Sequence, residues 1–325
     1  MKDSQYYIQG VLDKDRRVLS KTITLIESSR SDHKVLSRQV IDNLVPHAGK
    51  AVRLGITGVP GAGKSTFIES LGIFLIEQGL KVAVLAVDPS STLSHGSIMA
   101  DKTRMEKLSI EPDAFIRPSP SGGTLGGVAS KTRETMIACE ASGFDVLIVE
   151  TVGVGQSETT VASMVDFFLV LMISGAGDEI QGIKKGVLEL ADAVAVNKAD
   201  GDNIEKAKRA RKEYESALHL LRPETKTWAA PVLICSALKM KGIDNIWETV
   251  LDHRKKFTET GELEEKRKKQ SVAWMKALLE EGIKEWFYRK NDFRKSLKKL
   301  IRDVEKGSVS PTFAAADLLK VLDDK

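Results

Sequence analysis

The chain has 325 residues, 42% of them hydrophobic and 29% charged, with a formal net charge of +4. That composition belongs to a globular protein with ample material for a core, and no apolar run approaches the roughly 18 residues that span a membrane. Cys139 and Cys235 stand alone, without a CxxC or a Cys/His cluster, which argues against a disulfide framework or a zinc site and marks both as buried small residues.

The N-terminus MKDSQYYIQG lacks the apolar stretch of a secretory signal, so a cytoplasmic protein is expected. Residues 1–48 carry the spaced apolar pattern of amphipathic helices, in RVLSKTITLIESS and HKVLSRQVIDNLV, and read as a helical extension. From 49 to 255, short β-rich runs alternate with helical stretches: AVRLGIT, KVAVLAVD, DAFIRPSP, FDVLIVET, FFLVLMIS, DAVAVNK and PVLICSA. Such alternation predicts an α/β domain with a mainly parallel sheet flanked by helices. Residues 256–325 turn into charged amphipathic helices in which Trp274, Leu278, Ile283 and Trp286 recur at helical spacing. A helical arm with so little core of its own must bury that face, and a dimer interface is the expected use. Basic runs such as EEKRKKQ (264–270) are solvated helix faces, with no reader motif for nucleic acid beside them.

Two motifs carry the chemistry. GVPGAGKST (58–66) fits G-x-x-x-x-G-K-[ST] and lies between an apolar run and a helical pattern, which makes the domain a P-loop NTPase. A loop that wraps phosphates must bring its backbone N–H groups close, and Gly58, Gly61 and Gly63 supply dihedrals that a side chain would obstruct. Lys64 is expected to bridge the β- and γ-phosphates and the Ser65 hydroxyl to take one position on Mg²⁺. The helix opening at Lys64 aims its positive end at the anion, so Gly61, Ala62, Gly63, Lys64, Ser65 and Thr66 are the phosphate-side contacts. The second motif, NKAD (197–200), ends the run ADAVAV, which places it at the C-terminal edge of the sheet, where open α/β folds bind ligands. Asp200 can accept two hydrogen bonds from the guanine edge that adenine cannot supply, enough to exclude ATP by roughly four to five powers of ten. Asn197 ties the loop together and the Lys198 stem lies over the base. CSAL (235–238) follows the apolar PVLI and brings Ser236, the Ala237 backbone and Leu238 to the guanine carbonyl.

The γ-phosphate side is read from DVLIVETVGVGQSE (145–158). Most GTPases have Asp-x-x-Gly there; here Glu150 precedes Gly153, retaining an acid one methylene longer that can hold the Mg²⁺ shell through water, while the Gly153 N–H meets the γ-phosphate. Asp88, ending another strand in VDPSS, is a second carboxylate for the metal, and Asp101 in HGSIMADKTRM (95–105) belongs to a first switch. Val154 stands where Ras-type enzymes carry the Gln that orients water, so turnover by the isolated chain is expected to be slow.

GVPGAGKST, VDPSS, GSIMADKTRM, ETVGVGQSE, GAGDEIQGIKKG and NKAD, in that order, resemble the MeaB/ArgK family of P-loop GTPases along nearly the whole chain. The family commonly shows GGSILGDKTRM, and this chain has His95 and Ala100 at two of those glycines. The resemblance implies a homodimeric, Mg²⁺-dependent GTP/GDP-binding chaperone of adenosylcobalamin-dependent acyl-CoA mutases, chiefly methylmalonyl-CoA mutase, that gates cofactor loading and protects or reactivates the mutase. It also implies that GAGDEIQGIKKG (175–186) is a third switch, whose Gln181 and Lys184 act with Lys64 and Glu150 in hydrolysis once the partner docks. Three other readings compete. An ATP-dependent kinase or ATPase of a basic amino-acid transport system is opposed by Asp200. A nickel-delivery GTPase lacks ligands, with five scattered His, and a signal-recognition GTPase lacks a Met-rich tail, with only Met275 after residue 250.

Overall fold

The computed structural model describes residues 2–87, 105–118, 125–151, 157–175, 185–220, 227–289 and 291–320. Of the residues singled out above, Asp88, His95, Ala100, Asp101, Gly153, Val154, Gln181 and Lys184 lie outside the described residues.

Seven parallel strands form one sheet: β1 (Val52–Gly58), β2 (Val82–Val87), β3 (Ala114–Arg117), β4 (Val146–Thr151), β5 (Phe167–Ile173), β6 (Ala193–Asn197) and β7 (Val232–Ile234). The spatial order is β3-β2-β4-β1-β5-β6-β7, so the strand leading into the phosphate loop is central. Each apolar run expected from the sequence becomes a strand. The reason is burial on both faces: FFLVLMI, VLIVET and VAVLAV are almost wholly buried and could not alternate with polar residues. Helices α4 (Lys64–Glu77), α5 (Glu106–Ile110), α6 (Leu125–Ala141), α7 (Ser157–Ala162), α8 (Lys185–Glu189), α9 (Ile204–His219) and α10 (Ile243–Glu259) connect the strands or follow the sheet.

The chain divides into two compact units, Met1–Gln270 and Ser271–Lys325. The N-terminal helices α1 (Ser4–Leu12), α2 (Arg16–Glu27) and α3 (Ser31–Leu44) belong to the first, since Leu19, Ile23, Val40 and Leu44 are fully buried within the same core as the sheet. Asp15 starts α2 by accepting from the N–H groups of Arg17 and Val18, an N-cap that lets the amphipathic run begin there. Helix α11 (Glu262–Arg289) begins in the first unit and runs into the second, which also holds α12 (Asn291–Glu305) and α13 (Pro311–Lys320). In the second unit Phe293 is buried against Phe287 and Tyr288, with ring centroids 4.3 and 5.5 Å away. Both cysteines are buried as expected; burial raises the thiol of Cys139 strongly and that of Cys235 to about 12, so neither is a ready nucleophile. No helix among the described residues is long and apolar enough to cross a membrane.

One titratable group sets a pH dependence. Half-buried Glu134 of α6 has its pKa pushed from the usual 4.5 to about 7, first by burial and slightly by Asp42, against the pull of Arg38 and Lys131. Below pH 4.5 folded and unfolded chains both hold the proton. Between 4.5 and about 7 the unfolded chain ionises first, and above about 7 the folded protein carries the whole penalty. Glu134→Gln is therefore expected to stabilise the protein by about 1–2 kcal/mol at pH 8 and hardly at all at pH 4.5, compared through urea midpoints at the two pH values.

Candidate guanine-nucleotide site

The phosphate loop leaves β1 at Gly58 and enters α4 at Lys64. A Cβ on Gly58 would come within 2.3 Å of the Leu171 carbonyl oxygen, so only glycine lets β1 end this close to β5. Gly63 has φ +84° and directly precedes α4; a Cβ there would meet Asn197 Nδ2 at 3.0 Å. No side chain caps the start of α4, so its first-turn N–H groups have no competitor from a capping residue and suit an anion. The Lys64 ammonium donates to the Gly58 carbonyl at 2.9 Å, which holds it across the loop where phosphate charge would sit. Ser65 lies in the first turn of α4 and Thr66 beside it is exposed.

Glu150 is buried near the end of β4, in register with Ile56 of β1 and Ala86 of β2. Next to it the hydroxyls of Thr57 and Thr151 are hydrogen-bonded at 2.7 Å, tying the exits of β1 and β4 together; nothing in the sequence flagged that pair. The described residues hold no group of three His, Cys, Asp or Glu fit to bind a metal. A serine hydroxyl and a single carboxylate are nevertheless the hard oxygen donors that suit Mg²⁺, which usually takes one or two protein oxygens alongside substrate phosphates and water. Ser65 and Glu150 would hold the ion, whose contribution when bound is to neutralise charge on the phosphate oxygens.

Asn197 joins the two ends of the site. Its Nδ2 donates to the Ala62 carbonyl of the phosphate loop at 2.8 Å, and its Oδ1 accepts from the Ala237 N–H at 3.0 Å and from Cys235 Sγ at 3.5 Å. Lys198 takes a left-handed backbone, φ +59°, uncommon for a residue with a Cβ, and its stem passes close to Gly63. The half-buried Asp200 carboxylate accepts a short hydrogen bond from the Ser236 hydroxyl. Ser236 and Lys241 exchange backbone hydrogen bonds of 2.9 and 3.1 Å, closing a tight turn that keeps Ala237 buried and leaves Leu238 exposed. NKAD and CSAL, 38 positions apart in the chain at Asn197 and Cys235, are thus brought side by side because β6 and β7 are paired neighbours. A further tie, which no motif announced, runs from Ser174 at the exit of β5 to Asn203, at 2.7 Å, and from Asn203 to the Lys198 carbonyl, at 2.7 Å.

The arrangement can cradle phosphates at one end and read a purine edge at the other, with Asn197 as the bridge. Comparison with known proteins identifies the family. The family model described as methylmalonyl-CoA mutase-associated GTPase MeaB matches residues 19–292. GTPase ArgK of Escherichia coli is 50% identical, over 91% of this chain and 90% of its own. The mitochondrial methylmalonic aciduria type A homolog of Mus musculus is 43% identical, over 96% of this chain and 77% of its own. A crystal structure of a LAO/AO transport system kinase superposes with a TM-score of 0.79 at 41% identity, covering 99% of both chains.

Proposed function

Because the chain belongs to the MeaB family of methylmalonyl-CoA mutase-associated GTPases, we propose that it is a Mg²⁺-dependent chaperone of an adenosylcobalamin-dependent acyl-CoA mutase, chiefly methylmalonyl-CoA mutase. In this reading it gates cofactor loading and protects or reactivates that enzyme. The chain is a GTP hydrolase with a P-loop fold. The observation that carries the guanine assignment is the Asn197 bridge between Ala62 and Ala237, with Asp200 and Ser236 paired beside it.

Phosphoryl transfer asks a protein mainly for positioning and charge. Lys64 supplies a cation to the phosphates, the first-turn N–H groups of α4 orient them, and Asp200 and Ala237 fix the base. Val154 cannot orient water, so intrinsic turnover is slow and the partner accelerates it, with Gln181 and Lys184 completing the site on docking. The mouse relative's name, which refers to methylmalonic aciduria, supports methylmalonyl-CoA mutase as that partner. A homodimer is proposed through the helical arm 256–325, where Leu278, Ile283 and Trp286 of α11 are exposed and Trp274 is half-buried. The protein is assigned to the cytoplasm. The transport-kinase reading rests on a name alone, and Asp200 opposes adenine.

The test is steady-state turnover of GTP, with ATP as control, for the chain alone and with apo and holo methylmalonyl-CoA mutase. GTP-selective hydrolysis stimulated about tenfold or more by the mutase is expected. GTP hydrolysis that the mutase leaves unchanged would remove this mutase as the client.

A further inference from the structure

The Ala237 peptide is gripped at both ends. Its N–H donates to Asn197 Oδ1 at 3.0 Å, and its carbonyl accepts from Ser70 Oγ at 2.8 Å. Ser70 is buried on α4, six residues beyond Lys64. Asn197 returns the chain of bonds to the phosphate loop through its 2.8 Å contact with the Ala62 carbonyl. Ala62 and Ser70 are joined covalently through the start of α4, so the bonds close a ring: phosphate loop, Asn197, Ala237, Ser70 and back along the helix.

The direction of the Ser70 hydroxyl is informative. Hydroxyls inside helices commonly donate to the carbonyl one turn earlier, and Thr22, Thr132, Ser216 and Thr249 of this chain do so, each to the residue four positions before. Ser70 instead reaches across to a carbonyl 167 positions away, in the segment that faces the base. We propose that Ser70 is a positioning residue for base selection: its hydroxyl locks the Ala237 peptide, and with it the Ser236–Lys241 turn, to the helix that carries the phosphate-binding lysine. The inference rests on the guanine reading of Asp200 and Ala237. Without the hydroxyl the buried Ala237 carbonyl has lost its donor, which favours rotation of the peptide or entry of water. Either change moves the Ala237 peptide off Asn197 and shifts the Ser236–Lys241 turn, and with it the hydroxyl that Asp200 accepts from, while leaving Lys64 and the first turn of α4 in place.

The experiment compares the full chain with Ser70→Ala and Ser70→Thr, measuring GDP and ADP affinities by competition and the melting temperature of each. Ser70→Ala is expected to bind GDP roughly tenfold more weakly and to lose a similar factor in the GDP-to-ADP preference, while staying folded with a melting temperature lowered by about 2–6 °C. Ser70→Thr, which keeps the hydroxyl, should restore both. A folded Ser70→Ala with wild-type GDP affinity would overturn the inference, and so would a loss shared equally by GDP and ADP, the signature of general loosening. A wild-type protein that binds ADP as tightly as GDP would instead overturn the guanine reading beneath it.

Discussion

Asp200→Asn is expected to weaken GTP binding by about a thousandfold or more and to transfer preference to xanthosine triphosphate. The carboxylate accepts from the ring N–H and the 2-amino group of guanine, whereas an Asn amide sets its own NH₂ donors against that amino group. Xanthine has a carbonyl at the same position and accepts from the amide. The fold should tolerate the exchange, because Asp200 is only half-buried and its Ser236 partner can still donate to the amide oxygen. Competition titration of the two triphosphates on wild type and variant checks it. Equal GTP affinity in both proteins would mean that Asp200 does not read the base.

Arg267→Ala is expected to destabilise the protein by about 3–4 kcal/mol, the loss typical of breaking a buried ion pair from one side. Arg267 lies near the start of α11 and makes a two-pronged contact with Asp166, its Nε to Oδ1 at 2.8 Å and its Nη2 to Oδ2 at 2.7 Å. The same guanidinium donates to the carbonyls of Gly49 and Ala51, just before β1. Burial works against its charge, and Asp166 and Glu140 more than offset it, holding the pKa above the usual arginine value. Asp166 Oδ2 also accepts from the Arg53 N–H at 2.9 Å, and the Arg53 side chain pairs with buried Glu140 at 2.6 Å. Removing Arg267 leaves a 3%-exposed carboxylate short of its main partner and two carbonyls without their donor. Urea denaturation of Arg267→Ala, Asp166→Ala and the double variant provides the check. The double variant should lose at least about 1.5 kcal/mol less than the sum of the single losses, because the residues act as one unit. Simple additivity would show that the contact adds nothing of its own.

The Arg267 cluster shows where sequence reading stops. EEKRKKQ looks like a solvated basic face, and for Lys268 and Lys269 it is one, each exposed and pairing with a glutamate four positions back. Lys266, Arg267 and Gln270 in the same run face inward instead, and bind the Asp166 and Val165 backbone or the Asp166 carboxylate. Composition averages over both faces of a helix, so it could not separate them. The site divides in the same way. Lys64, Asn197 and Asp200, the proposed phosphate and base contacts, stand out in the sequence because close phosphate wrapping and guanine recognition demand particular residue types at fixed spacing. Ser70, Thr57 and Thr151 do not, since a hydrogen-bond partner 167 or 94 positions away leaves no local pattern.

By itself the sequence determined the seven strands, the glycine-rich loop between β1 and α4, and the NKAD and CSAL segments at the ends of β6 and β7, because burial on both faces, tight turns and strand ends act on residues near one another in the chain. Only the tertiary structure decided the strand order that sets β1 between β4 and β5 and makes β6 and β7 neighbours. It also set the ring of bonds through Asn197 and Ser70, and drew α1–α3 into the same core as the sheet. Those choices depend on contacts between residues far apart in the chain, whose energies come from packing and from satisfying buried polar groups, and neither has a period in the sequence.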